Sequence, residues 1–130
     1  MPTRGSREYA NFSRGAFGEW NLVASERQLR VEVYMNRQGA PAKVLFDELA
    51  AARDRWDAAV GLPLSWERLD GRAVCRIAAY HPLDIDDETS RAEAKQWVVD
   101  TAEKMYVALD RELRSRAMAL RASAVIDTPP

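Results

Sequence analysis

The stretch from Gly61 to Tyr80, GLPLSWERLDGRAVCRIAAY, constrains the fold more than any other part of the chain. Gly61 stands where a residue beyond a helix end takes positive φ, and Pro63 prevents the helix from continuing. Leu64 to Leu69 and Arg72 to Tyr80 then read as paired strands, joined through Asp70-Gly71, a dipeptide suited to a tight hairpin turn. On the later strand Ala73, Cys75, Ile77 and Ala79 share one face and Val74, Arg76, Ala78 and Tyr80 the other. The arginine marks the second face as the more exposed.

The segments on either side extend this pattern. Glu19 to Ala24 and Gln28 to Met35 alternate as a half-buried hairpin joined by Ser25-Glu26-Arg27, with Leu29, Val31, Val33 and Met35 on one face and Arg30, Glu32 and Tyr34 on the other. Asn36 to Ala40 break the alternation, and Pro41 opens a helix to about Val60, whose stripe is Leu45, Leu49, Ala52, Trp56, Ala59 and Val60. After an acidic loop, Ser90 and Glu93 have capping-box spacing. Trp97, Val98, Thr101, Met105, Ala108, Leu109, Leu113 and Leu120 then carry an apolar stripe for about 45 Å at 1.5 Å per residue. The expected fold is α+β, a ββαββα two-layer sandwich whose four-stranded, largely antiparallel sheet bears two helices on one face. Residues 1–18 are expected as a flexible lead, 19–122 as the domain and 123–130 as a disordered tail.

At 130 residues the chain is long enough for one core without metal or disulfide staples. The 19 basic and 20 acidic residues nearly cancel, so no overall polybasic attraction to nucleic acid follows. A single cysteine, Cys75, rules out an internal disulfide framework and favours a reducing cytoplasm. No apolar run is long enough for a secretory signal or a membrane span.

The linked pattern of Arg30-Val31-Glu32-Val33-Tyr34, Phe46-Asp47-Glu48-Leu49, Gly61 to Asp70 and Cys75-Arg76-Ile77 resembles the bacterial and archaeal domain-of-unknown-function family 4268, over about residues 15 to 110. That resemblance implies no established activity. Members of the family commonly follow nuclease-like or other restriction-associated regions, which implies a DNA-processing or defence setting. This sequence shows no such region ahead of the matching stretch, so an accessory role is expected rather than a nuclease one.

The residues themselves say little for catalysis. Restriction-type nucleases need carboxylates and a lysine converging at strand ends to hold Mg²⁺ and position water. Lys43, Lys95 and Lys104 are the only lysines, all on expected helices, and Tyr34 stands where an acid-x-Lys motif has its lysine. Asp84, Asp86, Asp87 and Glu88 form an acidic run that either gathers a divalent ion or favours the helix N-terminus that follows. Cys75 reads as a small core residue rather than a nucleophile, and zinc lacks ligands. No glycine-rich nucleotide motif is present, and no cofactor is expected.

What remains is the helix-free face. Arg30, Tyr34, Arg76 and Tyr80, with Trp66 and Arg68 on the paired strand, are the candidate binding residues. A guanidinium and aromatic surface suits a protein partner or single-stranded nucleic acid. The remaining alternative is a solvated face with Trp66 buried elsewhere. Arg111, Arg114, Arg116 and Arg121 either contact an acidic partner or phosphate, or form a solvated helix face. Leu109, Leu113 and Leu120 beside them allow self-association. The resulting expectation is a non-enzymatic interaction module working through the open sheet face. Nucleic-acid binding is the first alternative, and a metal-dependent enzyme using the acidic loop the second.

Overall fold

The computed structural model describes residues 8–36 and 41–127, with side chains as far as residue 123. Strands β1 (Glu8–Gly15), β2 (Gly18–Ala24) and β3 (Gln28–Met35) form a meander. Helices α1 (Ala42–Ala50) and α2 (Arg53–Val60) follow, then β4 (Ser65–Glu67), β5 (Cys75–Pro82) and the long helix α3 (Glu88–Asp127). The sheet is antiparallel throughout, in the order β1-β2-β3-β5-β4. The α+β class stands, but among the described residues the sheet has five strands rather than four and the helices number three.

The extra strand lies in the segment expected to be a flexible lead. Residues 8–15 pair with β2 through a turn at Ala16 and Phe17, and Phe17 is buried in the core. Their alternation is hidden by a bulge between Asn11 and Ser13, which shifts the register by one position. Gly18 is required where β2 meets β3: its φ is 134°, and a Cβ there would lie 2.0 Å from the Tyr34 carbonyl oxygen. At the other end α3 continues to Asp127, past the expected domain end at 122. The expected lead and tail ends, residues 1–7 and 128–130, lie outside the described residues, as do 37–40 of the expected break before Pro41.

Helix 41–60 is also divided. Ala52 (φ −118°, ψ 28°) leaves helical geometry, and its N–H reaches back only to the Leu49 carbonyl. Alanines are strong helix formers, so the break is a tertiary effect; it lets Leu45 and Leu49 of α1 and Trp56 and Val60 of α2 all reach the core. Gly61 ends α2 with φ 91°, as expected.

Both helical units lie on one face of the sheet. From the sheet, Trp20, Val31, Val33, Met35, Cys75, Ile77 and Ala79 point into this layer; from α3 come Met105, Leu109, Leu113 and Ala117. Spacing by four residues along α3 aligns its apolar stripe with the strands beneath. A polar clamp fixes the register. The buried Trp20 indole Nε1 donates to Asp110 Oδ1 at 2.9 Å, and Arg114 Nε donates to Asp110 Oδ2 at 2.9 Å. Arg114 also reaches Ser13 Oγ and the Arg14 carbonyl on β1. Among the described residues no helix is long and apolar enough to cross a membrane.

Candidate binding face

The opposite face of the sheet has no element laid over it among the described residues, and its polar side chains cover one another instead. Side chains directly across an antiparallel pair share a face. Asn21, Glu32 and Ala78 therefore form a row across β2, β3 and β5, with Arg30 opposite Tyr80 and Tyr34 opposite Arg76. Glu32 is the centre and is only 3% exposed. Its Oε2 accepts from Asn21 Nδ2 at 2.9 Å, while its Oε1 lies 2.6 Å from Arg30 Nε and 3.3 Å from Arg76 Nε. Those two N–H groups are out of line for hydrogen bonds, so the contacts are ionic. Ala78, opposite Glu32, has no side chain long enough to compete for this space.

The network runs on to both sheet edges. Arg76 Nη1 reaches Glu67 Oε1 at 3.2 Å, and the Tyr80 hydroxyl donates to Glu67 Oε2. Toward β1, Asn11 Nδ2 donates to Glu19 Oε2 at 3.0 Å and to Asn21 Oδ1 at 3.3 Å. Burial opposes the charge of Arg76, but Tyr80, Glu32 and Glu67 together raise its pKa above the usual arginine value. Burial, reinforced by the hydrogen bond to Glu67, raises the Tyr80 phenol.

Four of the six expected binding residues thus lie together: Arg30, Tyr34, Arg76 and Tyr80. Trp66 and Arg68 do not. Trp66 pairs with the core-facing Ile77, so it stands on the helix side, with its ring 6.1 Å from Phe46 and its Nε1 donating to Asp57 Oδ1 at 3.0 Å. Arg68 lies beyond the end of β4 and forms a fork on Asp47, with Nε and Nη2 at 2.9 and 3.1 Å from the two carboxylate oxygens. That hydrogen bond holds Asp47 below its ordinary pKa.

The loop holding Arg68 also departs from a simple hairpin. Asp70 and Gly71 do form a turn, with Arg72 N–H donating to the Leu69 carbonyl, but the ladder stops at Glu67 and Arg76. The Lys43 ammonium is inserted between the chains and donates to the carbonyls of Arg68, Leu69 and Val74. Only its place on α1 reveals this role; its spacing from other residues gives no sign.

Sequence reasoning missed Asn21, Glu67, Arg72 and Tyr9. Together with Arg30, Tyr34 and Arg76, the residues Tyr9, Asn21 and Arg72 bound a cavity of about 410 Å³ on this face, with Glu19, Val23 and Glu32 also in its lining. Glu67 was legible in principle, because strand alternation sets it on the face opposite Trp66. Arg72 and Tyr9 come from the loop and from the unrecognised strand, so only the sheet order could reveal them.

The other candidates have structural roles. Asp87 caps α3 by accepting from Thr89 N–H, and Ser90 accepts from Asp84 N–H, so the helix starts ahead of the expected Ser90 capping box. Among the described residues no group of three or more His, Cys, Asp or Glu side chains converges to hold a metal ion. Cys75 is fully buried and its thiol pKa is raised by that burial. Arg114 belongs to the clamp on β1, and Arg116 pairs with Glu48 and Glu112.

No curated protein and no solved structure matches the chain. A family model described as Domain of unknown function (DUF4268) matches residues 4–112, most of its length and nearly all of the sheet and core described above. The chain belongs to that family.

Proposed function

We propose that this domain is a non-enzymatic interaction module that takes a protein partner on its uncovered sheet face. The observation that carries the reading is the self-covering of that face: Glu32 is 3% exposed although no element among the described residues lies over it. The side chains of Arg30 and Arg76 are 12% and 15% exposed, held against Glu32 and Glu67. A solvated face leaves long charged chains free in water. Here they are already desolvated and fixed, so a partner would lose little side-chain entropy in docking. Tyrosine and arginine are also the residue types enriched at protein hot spots.

Direct nucleic-acid binding has less support, because following a phosphate backbone draws on several uncompensated cations, whereas Arg30, Arg72 and Arg76 in this cavity stand against Glu19 and Glu32. An accessory place in a bacterial, cytoplasmic DNA-processing or defence system belongs to the same proposal and is supported by the family resemblance. Affinity capture from host lysate tests the face. A Tyr9→Ala/Tyr34→Ala variant is expected to lose the partner, while Val107→Ala on the outer side of α3 keeps it. Equal capture by all three forms contradicts the assignment.

A further inference from the structure

We infer that the cavity on this face receives a carboxylate from an acidic segment of the partner, seated between Arg30 and Arg72. This rests on reading the face as a protein-binding one and adds the chemistry of what binds. A balance of donors against acceptors supports it. The acids of the cavity are both engaged: Glu32 by Asn21, Arg30 and Arg76, and Glu19 by Asn11, with Arg14 Nε at 3.7 Å.

The donors are not matched in the same way. Arg30 contacts Glu32 through Nε, and its terminal nitrogens make no hydrogen bond among the described residues. Arg72 is exposed, and its side chain makes no hydrogen bond or ion pair among those residues. Arg76 commits Nη1 to Glu67 and Tyr80, and its Nη2 makes no hydrogen bond among them. Unmatched planar donors over neutralised acids select a ligand rich in acceptors. A carboxylate fits the guanidinium fork in a bidentate way, and Tyr9 and Tyr34 flank the place with aromatic surface.

Calorimetry with capped hexaglutamate, hexaglutamine and an oligothymidylate of matching charge tests the inference on the full chain. Hexaglutamate is expected to bind and hexaglutamine not to. Arg72→Gln, which removes no contact seen in the fold, is expected to weaken hexaglutamate by about tenfold, while the equally charge-changing Arg121→Gln on α3 leaves it unchanged. Three results overturn the inference: no binding of hexaglutamate, equal weakening by both variants, or tighter binding of the oligothymidylate. Failure here with partner capture still lost in Tyr9→Ala/Tyr34→Ala removes the acidic ligand and leaves the protein-binding face intact. Hexaglutamate binding with capture indifferent to those tyrosines does the reverse.

Discussion

Glu32 sits in the middle of a central strand, on a face that no element among the described residues covers, and is nevertheless buried by the side chains around it. An acid in that position is stable only while its charge is matched, since a buried carboxylate without partners loses its hydration uncompensated. Replacing it by Glu32→Gln leaves Arg30 and Arg76 facing one another, and urea denaturation is expected to show a loss of about 3 kcal/mol; a loss below about 0.5 kcal/mol places the pair outside the fold's energetics. Gly18 is equally constrained, because any Cβ there meets the Tyr34 carbonyl. Gly18→Ala is expected to cost on the order of 3 kcal/mol in the same measurement. Tyr80 gives the face a signature at alkaline pH. Its pKa is raised in the folded protein, so the stability it contributes is whole below about pH 10, the ordinary tyrosine value, and is lost as pH rises through the higher folded value. Thermal melts through that range are expected to fall less steeply for Tyr80→Phe than for the native chain, and parallel slopes contradict this. At this scale the alternation of β3 and β5 made Arg30, Glu32, Tyr34, Arg76 and Tyr80 legible in the sequence as one face. That Glu32 is its hub was not legible, because the hub exists only once Asn21, Arg30 and Arg76 converge from three strands.

The elements show what local signals can and cannot carry. Strands β3 and β5 and helix α3 are readable from periodicity, and the positive φ at Gly61 follows from its place before Leu62-Pro63. Strand β1 escaped because its bulge turns Phe12 and Ser13 both toward the helix layer, where Phe12 meets Tyr106 and Ser13 meets Arg114, so a period of two never shows. The break at Ala51-Ala52 escaped because nothing in an alanine pair opposes a helix; packing alone decides it. Asp70-Gly71 signals a tight hairpin between residues 64–69 and 72–80, but Lys43, distant in sequence, spreads the loop carbonyls of Arg68, Leu69 and Val74. Lys43→Met is therefore expected to loosen this loop while α3 holds. Hydrogen exchange at the Arg72 amide is expected to accelerate with a global loss of about 1 to 2 kcal/mol; unchanged exchange there shows that the turn stands without the ammonium.

For the whole molecule, the order β1-β2-β3-β5-β4 decides which residues meet, and strand order has no local signature in a sequence of this length. It brings Tyr9 from the edge strand and Arg72 from a distant loop to the same cavity as Arg30 and Tyr34, while the register of β4 on β5 sets Trp66 on the helix side and the fork on Asp47 holds Arg68 there. The two sides of the domain consequently differ in kind. The helix side is a packed core tied by Trp20, Asp110 and Arg114, whereas the sheet side is a fixed polar surface whose acids are satisfied and whose donors are in excess. On the proposed function a partner occupies the second side. Hydroxyl-radical footprinting in host lysate against buffer tests it most directly, because Tyr9 on the sheet face and Val107 on α3, 69% and 75% exposed, report on opposite sides of the domain. Protection of Tyr9 and Tyr34 with Val107 unchanged is the predicted result; protection of Val107 with both tyrosines still reactive contradicts it.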